Sequence, residues 1–219
     1  MRRDTIDTGW QVIGQSIEGR DIRLRTVGHG PRVVLWIGGI HGNEPEGTHS
    51  TAQLPTAFLA DPHRAAQVTL HLIEDVNPDG RAAGTRFNAA GIDLNRNNPL
   101  AFAPAKRHST APLDQPESIL LAAQLAALKP ALLIVAHSWP EKHFINYDGP
   151  AADLAARFSA LSGYPVVPSD GFHPTPGSLG SWVGIGMGLP VLTLEHRRGT
   201  APVDCWQRTE AALLAVIDG

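Results

Sequence analysis

A histidine and two glutamates follow the first strongly apolar run of this chain. The run VVLWI ends at Ile37, and the segment GGIHGNEPEG then places His41 and Glu44 three residues apart in a glycine-rich bend. Glycine allows backbone conformations that bring polar side chains close together, so the bend could be shaped around a ligand. A plain turn between a strand and a helix is the structural alternative, and a His-x-x-Glu pair alone does not decide between them.

Two further polar residues stand at the ends of apolar runs. His137 follows LLIVA, and Glu195 follows PVLTL. Two histidines and one glutamate form a ligand set of catalytic zinc, which leaves a position for water, and a second glutamate could act as the base. Taken singly, His137 could be a core histidine, and Glu195 could pair with Arg197 or Arg198.

The loop from Asn77 to Pro99 could supply substrate contacts. It contains Arg86, Asn95 and Arg96 among several turn-forming residues. Loop arginines are often only solvated, but a guanidinium also matches a carboxylate in bidentate geometry. Arginines beside a zinc site therefore favour a small acidic substrate.

An ordered set of short motifs resembles the zinc carboxypeptidase superfamily over roughly residues 16 to 198. The motifs are EGR at 18–20, HGNE at 41–44, NPDG at 77–80, GIDLNRN at 91–97, AHS at 136–138 and TLE at 193–195. The resemblance implies that His41, Glu44 and His137 bind one Zn²⁺ per chain. It also implies that Glu195 is the general base and that Arg86 polarises the scissile carbonyl. Asn95 and Arg96 would then hold a substrate carboxylate.

The segment TPGSLGSW, Thr175–Trp182, is most similar to the murein peptide amidase A group of that superfamily. Membership would imply a cytoplasmic enzyme that cleaves the γ-D-glutamyl to diaminopimelate bond of cell-wall peptides, with L-Ala-γ-D-Glu-meso-diaminopimelate as the favoured substrate. The resemblance leads us to expect a tyrosine over the substrate where this chain has His173. Either His173 or Phe172 could take that place.

The pattern of apolar runs predicts an α/β fold. Strands are predicted at 32–37, 68–73, 132–136 and 190–194, and an edge strand at DIRLRTVG. Helices are predicted at 45–59, 116–128, 151–161 and 203–217. We therefore expect one domain over residues 1–219, with a central mixed, mostly parallel β-sheet flanked by helices. The strand ends would collect the site, and His196, next to Glu195, should point to the opposite face.

Composition excludes several classes of partner. The net charge of -3 argues against nucleic acid, and no apolar segment is suited to a membrane span or an export signal. The single cysteine, Cys205, cannot form an internal disulfide, which favours a reducing cytoplasm. The oligomeric state stays open.

Three other functions are compatible with parts of this pattern. One is a metallocarboxypeptidase that releases ordinary C-terminal residues, and another is an N-acyl amino acid deacylase of the aspartoacylase type. The deacylases share the GGIHGNE and DLNR elements, but we expect them to lack NPDG and TPGSLGSW. A non-catalytic zinc-binding or peptide-binding domain would have no need for a base at Glu195.

Overall fold

Apolar runs rich in valine, isoleucine and leucine form the centre of a mixed β-sheet. The computed structural model describes residues 6–169 and 175–219, and these contain eight paired strands. The strands are β1 (Gln11–Gln15), β2 (Asp21–Gly28), β3 (Arg32–Ile37), β4 (Val68–Ile73), β5 (Leu132–Trp139), β6 (Phe144–Asp148), β7 (Val166–Pro168) and β8 (Val191–Arg197). Their order across the sheet is β1-β2-β4-β3-β5-β8-β6-β7. The four central strands, β4, β3, β5 and β8, run parallel, and antiparallel pairs occur on either side of them.

The parallel strands are apolar on both sides because helices cover both faces of the sheet. In β3, Val34 and Trp36 belong to one hydrophobic cluster, whereas Leu35 and Ile37 belong to another. All four side chains are fully buried. The alternation of side chains along the strand therefore supplies two cores from one segment.

Six α-helices surround the sheet in the described part of the chain. They are α1 (Thr48–Leu59), α2 (Pro62–Gln67), α3 (Pro78–Ala83), α4 (Pro116–Leu128), α5 (Ala152–Ser162) and α6 (Pro202–Asp218). Proline opens four of them, at a position where its missing N–H has no intrahelical partner to lose. Helices α1, α5 and α6 pack over one face of the sheet, and α4 packs over the other.

The predicted α/β architecture with a mixed sheet is confirmed, and β3, β4 and α4 have the predicted bounds. One prediction is wrong: the strand DIRLRTVG, β2, is not at the edge, because β1 pairs along its outer side. The helix expected from residue 45 begins at Thr48, because the preceding residues form a turn in which Thr48 donates to the carbonyl of Pro45. Strands β1, β6 and β7 and helices α2 and α3 were not predicted.

The fold brings three strand ends to one edge of the sheet. Parallel strands β3, β5 and β8 all finish there: His41 and Glu44 lie in the bend after β3, whereas His137 and Glu195 lie in β5 and β8 themselves, near their carboxyl ends. In residues 6–169 and 175–219, no helix combines the length and apolar character that a membrane crossing would need.

Candidate metal centre and substrate cleft

Three predicted residues meet at the carboxyl ends of β3 and β5. His41 Nδ1 lies 3.0 Å from Glu44 Oε1, and His137 Nδ1 lies 3.0 Å from Glu44 Oε2. The two Nδ1 atoms are 3.1 Å apart. All three side chains are buried, and their ligand atoms are close enough to share one ion. The structure therefore assembles the predicted group from two separate parts of the sequence.

The bend that carries His41 and Glu44 is packed tightly against the start of α3. A side chain on Gly42 would approach the carbonyl carbon of Gly80 to 1.9 Å, so only glycine allows this contact. Arg81 Nη1 donates to the carbonyl of Gly42 at 3.0 Å. The motifs HGNE and NPDG are thus packed and hydrogen-bonded against each other, which fixes the orientation of the His41 and Glu44 side chains.

Asp93 fixes the orientation of the His41 ring. Its Oδ1 lies 3.2 Å from His41 Nε2, and its Oδ2 accepts from Arg86 Nε at 2.8 Å. Burial raises the pKa of Asp93, but His41 and Arg86 outweigh burial and hold that pKa well below its usual range. An ionised carboxylate only accepts hydrogen bonds, so in the neutral ring of His41 Nε2 carries the proton and Nδ1 presents its lone pair.

The donor set fits zinc. Zinc takes imidazole nitrogen and carboxylate oxygen at about 2 Å in tetrahedral geometry, which places ligand atoms about 3.3 Å apart. The spacings of 3.0 and 3.1 Å among the three residues agree with this requirement. Zinc-bound histidines commonly donate their other ring N–H to a carboxylate, which is the role that Asp93 offers to His41. Backbone N–H of Ser138 further supports Glu44 Oε2 at 3.0 Å.

Glu195 lies beside this group without being part of it. It stands opposite His137 in the pairing of β5 with β8, and its side chain lines the same cleft. Among the described residues, Glu195 makes no side-chain hydrogen bond or ion pair, so the ion pair with Arg197 or Arg198 does not form. Burial raises the pKa of Glu195 to about 7. A carboxyl with that pKa can both take up and release a proton near neutral pH.

Arg86, Asn95 and Arg96 line the cleft next to the metal ligands. Arg86 Nη1 lies 3.4 Å from Glu44 Oε1. Asn95 Oδ1 accepts from the backbone N–H of Leu179 at 2.8 Å, which ties this loop to the segment TPGSLGSW. Arg96 uses Nη1 to donate to the carbonyl of Asn95, and its other nitrogens make no hydrogen bond within the described residues.

The cleft continues away from the metal ligands into a polar pocket. The cleft as a whole encloses about 770 Å³ of empty space, part of it open to solvent. Asn146, Asp148, Ser169 and Thr193 are among the residues that line it. Asp148 is only 7% exposed, and its Oδ1 is buried without a hydrogen-bond partner in the described structure. Burial raises the pKa of Asp148, although the Ser169 hydroxyl opposes the effect.

His173 and its alternative Phe172 lie outside the described residues. His196 does point away from the cleft: it is fully buried, and its Nδ1 lies 2.8 Å from the hydroxyl of Tyr164.

Sequence reasoning missed three residues around the centre. Asp93 lies inside the motif GIDLNRN, and its spacing from Asn95 could have identified it. Asp148 ends a strand that was not predicted, so no signal pointed to it. Arg198 was considered as a partner for Glu195, but its Nη2 lies 3.1 Å from Glu44 Oε1.

Comparison with known proteins agrees with this geometry. The family model described as zinc carboxypeptidase matches residues 8–138. Murein peptide amidase A of Escherichia coli strain K12 is 31% identical over a 154-residue alignment that covers 62% of this chain and 63% of that protein. The matched region thus spans less than two thirds of that relative.

Solved structures show the same fold. The crystal structure of murein-tripeptide amidase from Escherichia coli O157 superposes with a TM-score of 0.72 at 24% identity, covering 99% of this chain and 94% of that one. Thrombin activatable fibrinolysis inhibitor has a TM-score of 0.79 at 16% identity, covering 96% of this chain and 67% of that one. With the family match over more than half of the chain, these similarities lead to one conclusion: this chain belongs to the zinc carboxypeptidase family.

Proposed function

We propose that the protein is a zinc-dependent amidohydrolase that removes a C-terminal residue from a small acidic peptide. The favoured substrate is L-Ala-γ-D-Glu-meso-diaminopimelate, cleaved to L-Ala-D-Glu and diaminopimelate. One observation supports hydrolysis most directly: the group of His41, Glu44 and His137 shares a cleft with the carboxyl of Glu195, which has no hydrogen-bond or ion-pair partner among the described residues. The relatives named murein peptide amidase A support the choice of substrate.

A zinc ion held by His41, Glu44 and His137 would supply Lewis-acid activation of a water molecule and of the substrate carbonyl. Glu195 would accept a proton from the attacking water and then deliver it to the leaving nitrogen. Burial raises the pKa of Glu195 to about 7 in the metal-free protein, which favours uptake of the proton from water.

Arginine and asparagine side chains would orient the substrate. Arg86, held by Asp93, would place its remaining N–H groups at the scissile carbonyl oxygen. Asn95 and Arg96 would bind the terminal carboxylate, because a guanidinium with open donors matches that group. A carboxylate brought into the cleft needs such partners, since an unpaired buried charge is costly.

Asp148 supports diaminopimelate as the residue released. The side chain of diaminopimelate ends in an ammonium and a carboxylate, and a buried carboxylate without a full set of partners would gain an ion pair with that ammonium. The neighbouring Thr193 hydroxyl, and the second N–H of Asn146 Nδ2 beyond the one given to the carbonyl of Val167, would donate hydrogen bonds to the second carboxylate. We further propose that the reaction serves recycling of cell-wall peptides in the cytoplasm.

The buried carboxylate of Asp148 also favours a second candidate, a metallocarboxypeptidase that releases C-terminal lysine. Lysine also places an ammonium at the end of a long side chain, so Asp148 alone does not separate the two substrates. The difference is the second carboxylate, which lysine lacks.

The test ranks kcat/KM for four substrates with zinc-loaded protein. They are L-Ala-γ-D-Glu-meso-diaminopimelate, the same peptide with L-lysine in place of diaminopimelate, a peptide that ends in phenylalanine, and N-acetyl-aspartate. The proposal expects the first to be the best substrate and the phenylalanine peptide to be poor. A preference for the lysine peptide would establish the second candidate, and a preference for N-acetyl-aspartate would indicate a deacylase.

A further inference from the structure

Arg198 is a cation at the metal centre that the proposed hydrolysis leaves without a role. It follows β8, and its backbone N–H donates to the carbonyl of Trp139 at 2.8 Å. Its Nη2 lies 3.1 Å from Glu44 Oε1 and 3.4 Å from the carbonyl oxygen of Ser138. The backbone and one guanidinium nitrogen are therefore both held, which limits how far the side chain can move.

The remaining donors of Arg198 are open. Within residues 6–169 and 175–219, its Nε and Nη1 make no hydrogen bond or ion pair, and 39% of the side chain is exposed. Arg86, the other arginine near Glu44, differs because its Nε donates a hydrogen bond to Asp93. Arg198 is thus a fixed guanidinium with open donors toward solvent, which suits a carboxylate from a ligand.

Its position differs from that of the other substrate-binding candidates. Arg86, Arg96 and Asp148 all line the cleft, whereas Arg198 is not among the described residues that line it. Arg198 reaches Glu44 from the loop after β8, outside the pocket assigned to the leaving residue. A ligand group at Arg198 would therefore belong to the acyl part of the substrate.

We infer that Arg198 binds the free α-carboxylate of a γ-linked glutamyl residue on the acyl side of the scissile bond. The inference rests on the proposed function and adds a second specificity determinant to it. In a γ-linked glutamyl residue, three carbon atoms separate the scissile carbonyl from a free α-carboxylate. An α-linked peptide has no carboxylate at this distance from the reacting carbonyl unless its penultimate residue is glutamate. Arg198 would therefore select γ-glutamyl substrates over peptides whose penultimate side chain has no such carboxylate.

The experiment compares L-Ala-γ-D-Glu-meso-diaminopimelate with its D-isoglutamine analogue, in which that α-carboxylate is an amide. Wild type should prefer the acid about 10-fold or more in kcat/KM, because a charge-assisted hydrogen bond is lost with the amide. Arg198→Gln should reduce this preference to near unity. Arg197→Gln is the matched control, since Arg197 is exposed and lines a different cavity, and it should keep the wild-type preference.

Two further measurements separate the possible failures. Zinc content of Arg198→Gln tests whether the variant still holds the metal, and calorimetry of L-Ala-D-Glu against L-Ala-D-isoglutamine gives a binding readout without catalysis. A wild-type enzyme that cleaves both peptides equally, or an Arg198→Gln variant that keeps the preference, overturns the inference and leaves the proposed function standing. If the wild-type enzyme cleaves neither peptide, the proposed function is wrong. In that case, equal affinity of the wild-type protein for the two dipeptides would also overturn the role of Arg198.

Discussion

Asp93 Oδ1 lies 3.2 Å from His41 Nε2, on the side of the ring away from Glu44 and His137. The pair links a loop residue to the bend after β3, and both side chains are buried. Because the carboxylate accepts a hydrogen bond from Nε2–H of the neutral ring, the Nδ1 lone pair of His41 faces the other two ligands. Asp93 is therefore a positioning residue for the metal centre.

Removal of this contact should weaken metal binding. We expect Asp93→Ala to lower zinc affinity by about 10- to 100-fold, the usual cost of losing such a partner. Asp93→Asn keeps an oxygen acceptor and should lose less. Competition with a chelating indicator measures both affinities, and unchanged affinity in Asp93→Ala would show that His41 needs no such support.

Loss of the proposed base should separate catalysis from metal binding. Glu195→Gln keeps the size of the side chain but removes its basicity, so kcat should fall by about 10² to 10⁴ while zinc content stays constant. Glu141→Gln is the matched control, since Glu141 is exposed and outside the cleft. Near-normal turnover in Glu195→Gln would mean that the base lies elsewhere.

The sequence predicted the metal group better than the pocket beyond it. His41, Glu44, His137 and Glu195 each come directly or shortly after a strongly apolar run, and parallel strands finish at the same edge of the sheet, so their convergence could be inferred. Asp148 ends β6, whose residues FINYD mix polar and apolar side chains without a clear period. No local pattern distinguishes such a strand from a loop, and only pairing with β8 defines it.

Arg198 shows a different limit of sequence reasoning. Alternation along β8 predicts that residues 195 and 196 face opposite sides, and the structure agrees. The strand ends at Arg197, so alternation no longer determines the direction of the next side chain. The loop turns Arg198 back toward Glu44, which depends on long-range contacts with Trp139 and Ser138.

A buried carboxylate joins the motifs EGR and NPDG and should stabilise the fold. Asp79 accepts from Ser16 Oγ at 2.7 Å, from the backbone N–H of Glu18 at 3.0 Å and from Arg20 Nη1 at 2.8 Å. Asp79→Ala leaves these donors without their acceptor and should lower the free energy of unfolding by roughly 2 to 4 kcal/mol. Chemical denaturation measures the loss. Asp21→Ala, at an exposed strand residue, should change stability by less than about 0.5 kcal/mol.

Stability should fall in acid partly because of His196. Burial lowers the pKa of His196 to about 4, so the folded protein binds fewer protons there than the unfolded chain, whose histidine has a pKa of 6.5. The contribution of His196 to the free energy of unfolding is therefore fully present above pH 6.5, the pKa in the unfolded chain. It is lost as the pH falls from 6.5 toward 4.

The size of this effect can be measured by difference. Between pH 7.5 and pH 4, metal-free wild type should lose up to about 3 kcal/mol more unfolding free energy than metal-free His196→Gln, which has no group to titrate there. Parallel pH dependence in the two proteins would contradict the assignment. An NMR titration of the His196 ring in wild type gives a second reading that does not require the variant to fold.

The central claim is that His41, Glu44 and His137 hold one catalytic zinc ion. Crystals of zinc-loaded protein, with anomalous diffraction recorded on both sides of the zinc edge, test it most directly. The account predicts one strong peak per chain, about 2.0 to 2.2 Å from His41 Nδ1, His137 Nδ1 and a carboxylate oxygen of Glu44. A peak held by another set of residues, or no peak at these three side chains, would contradict it.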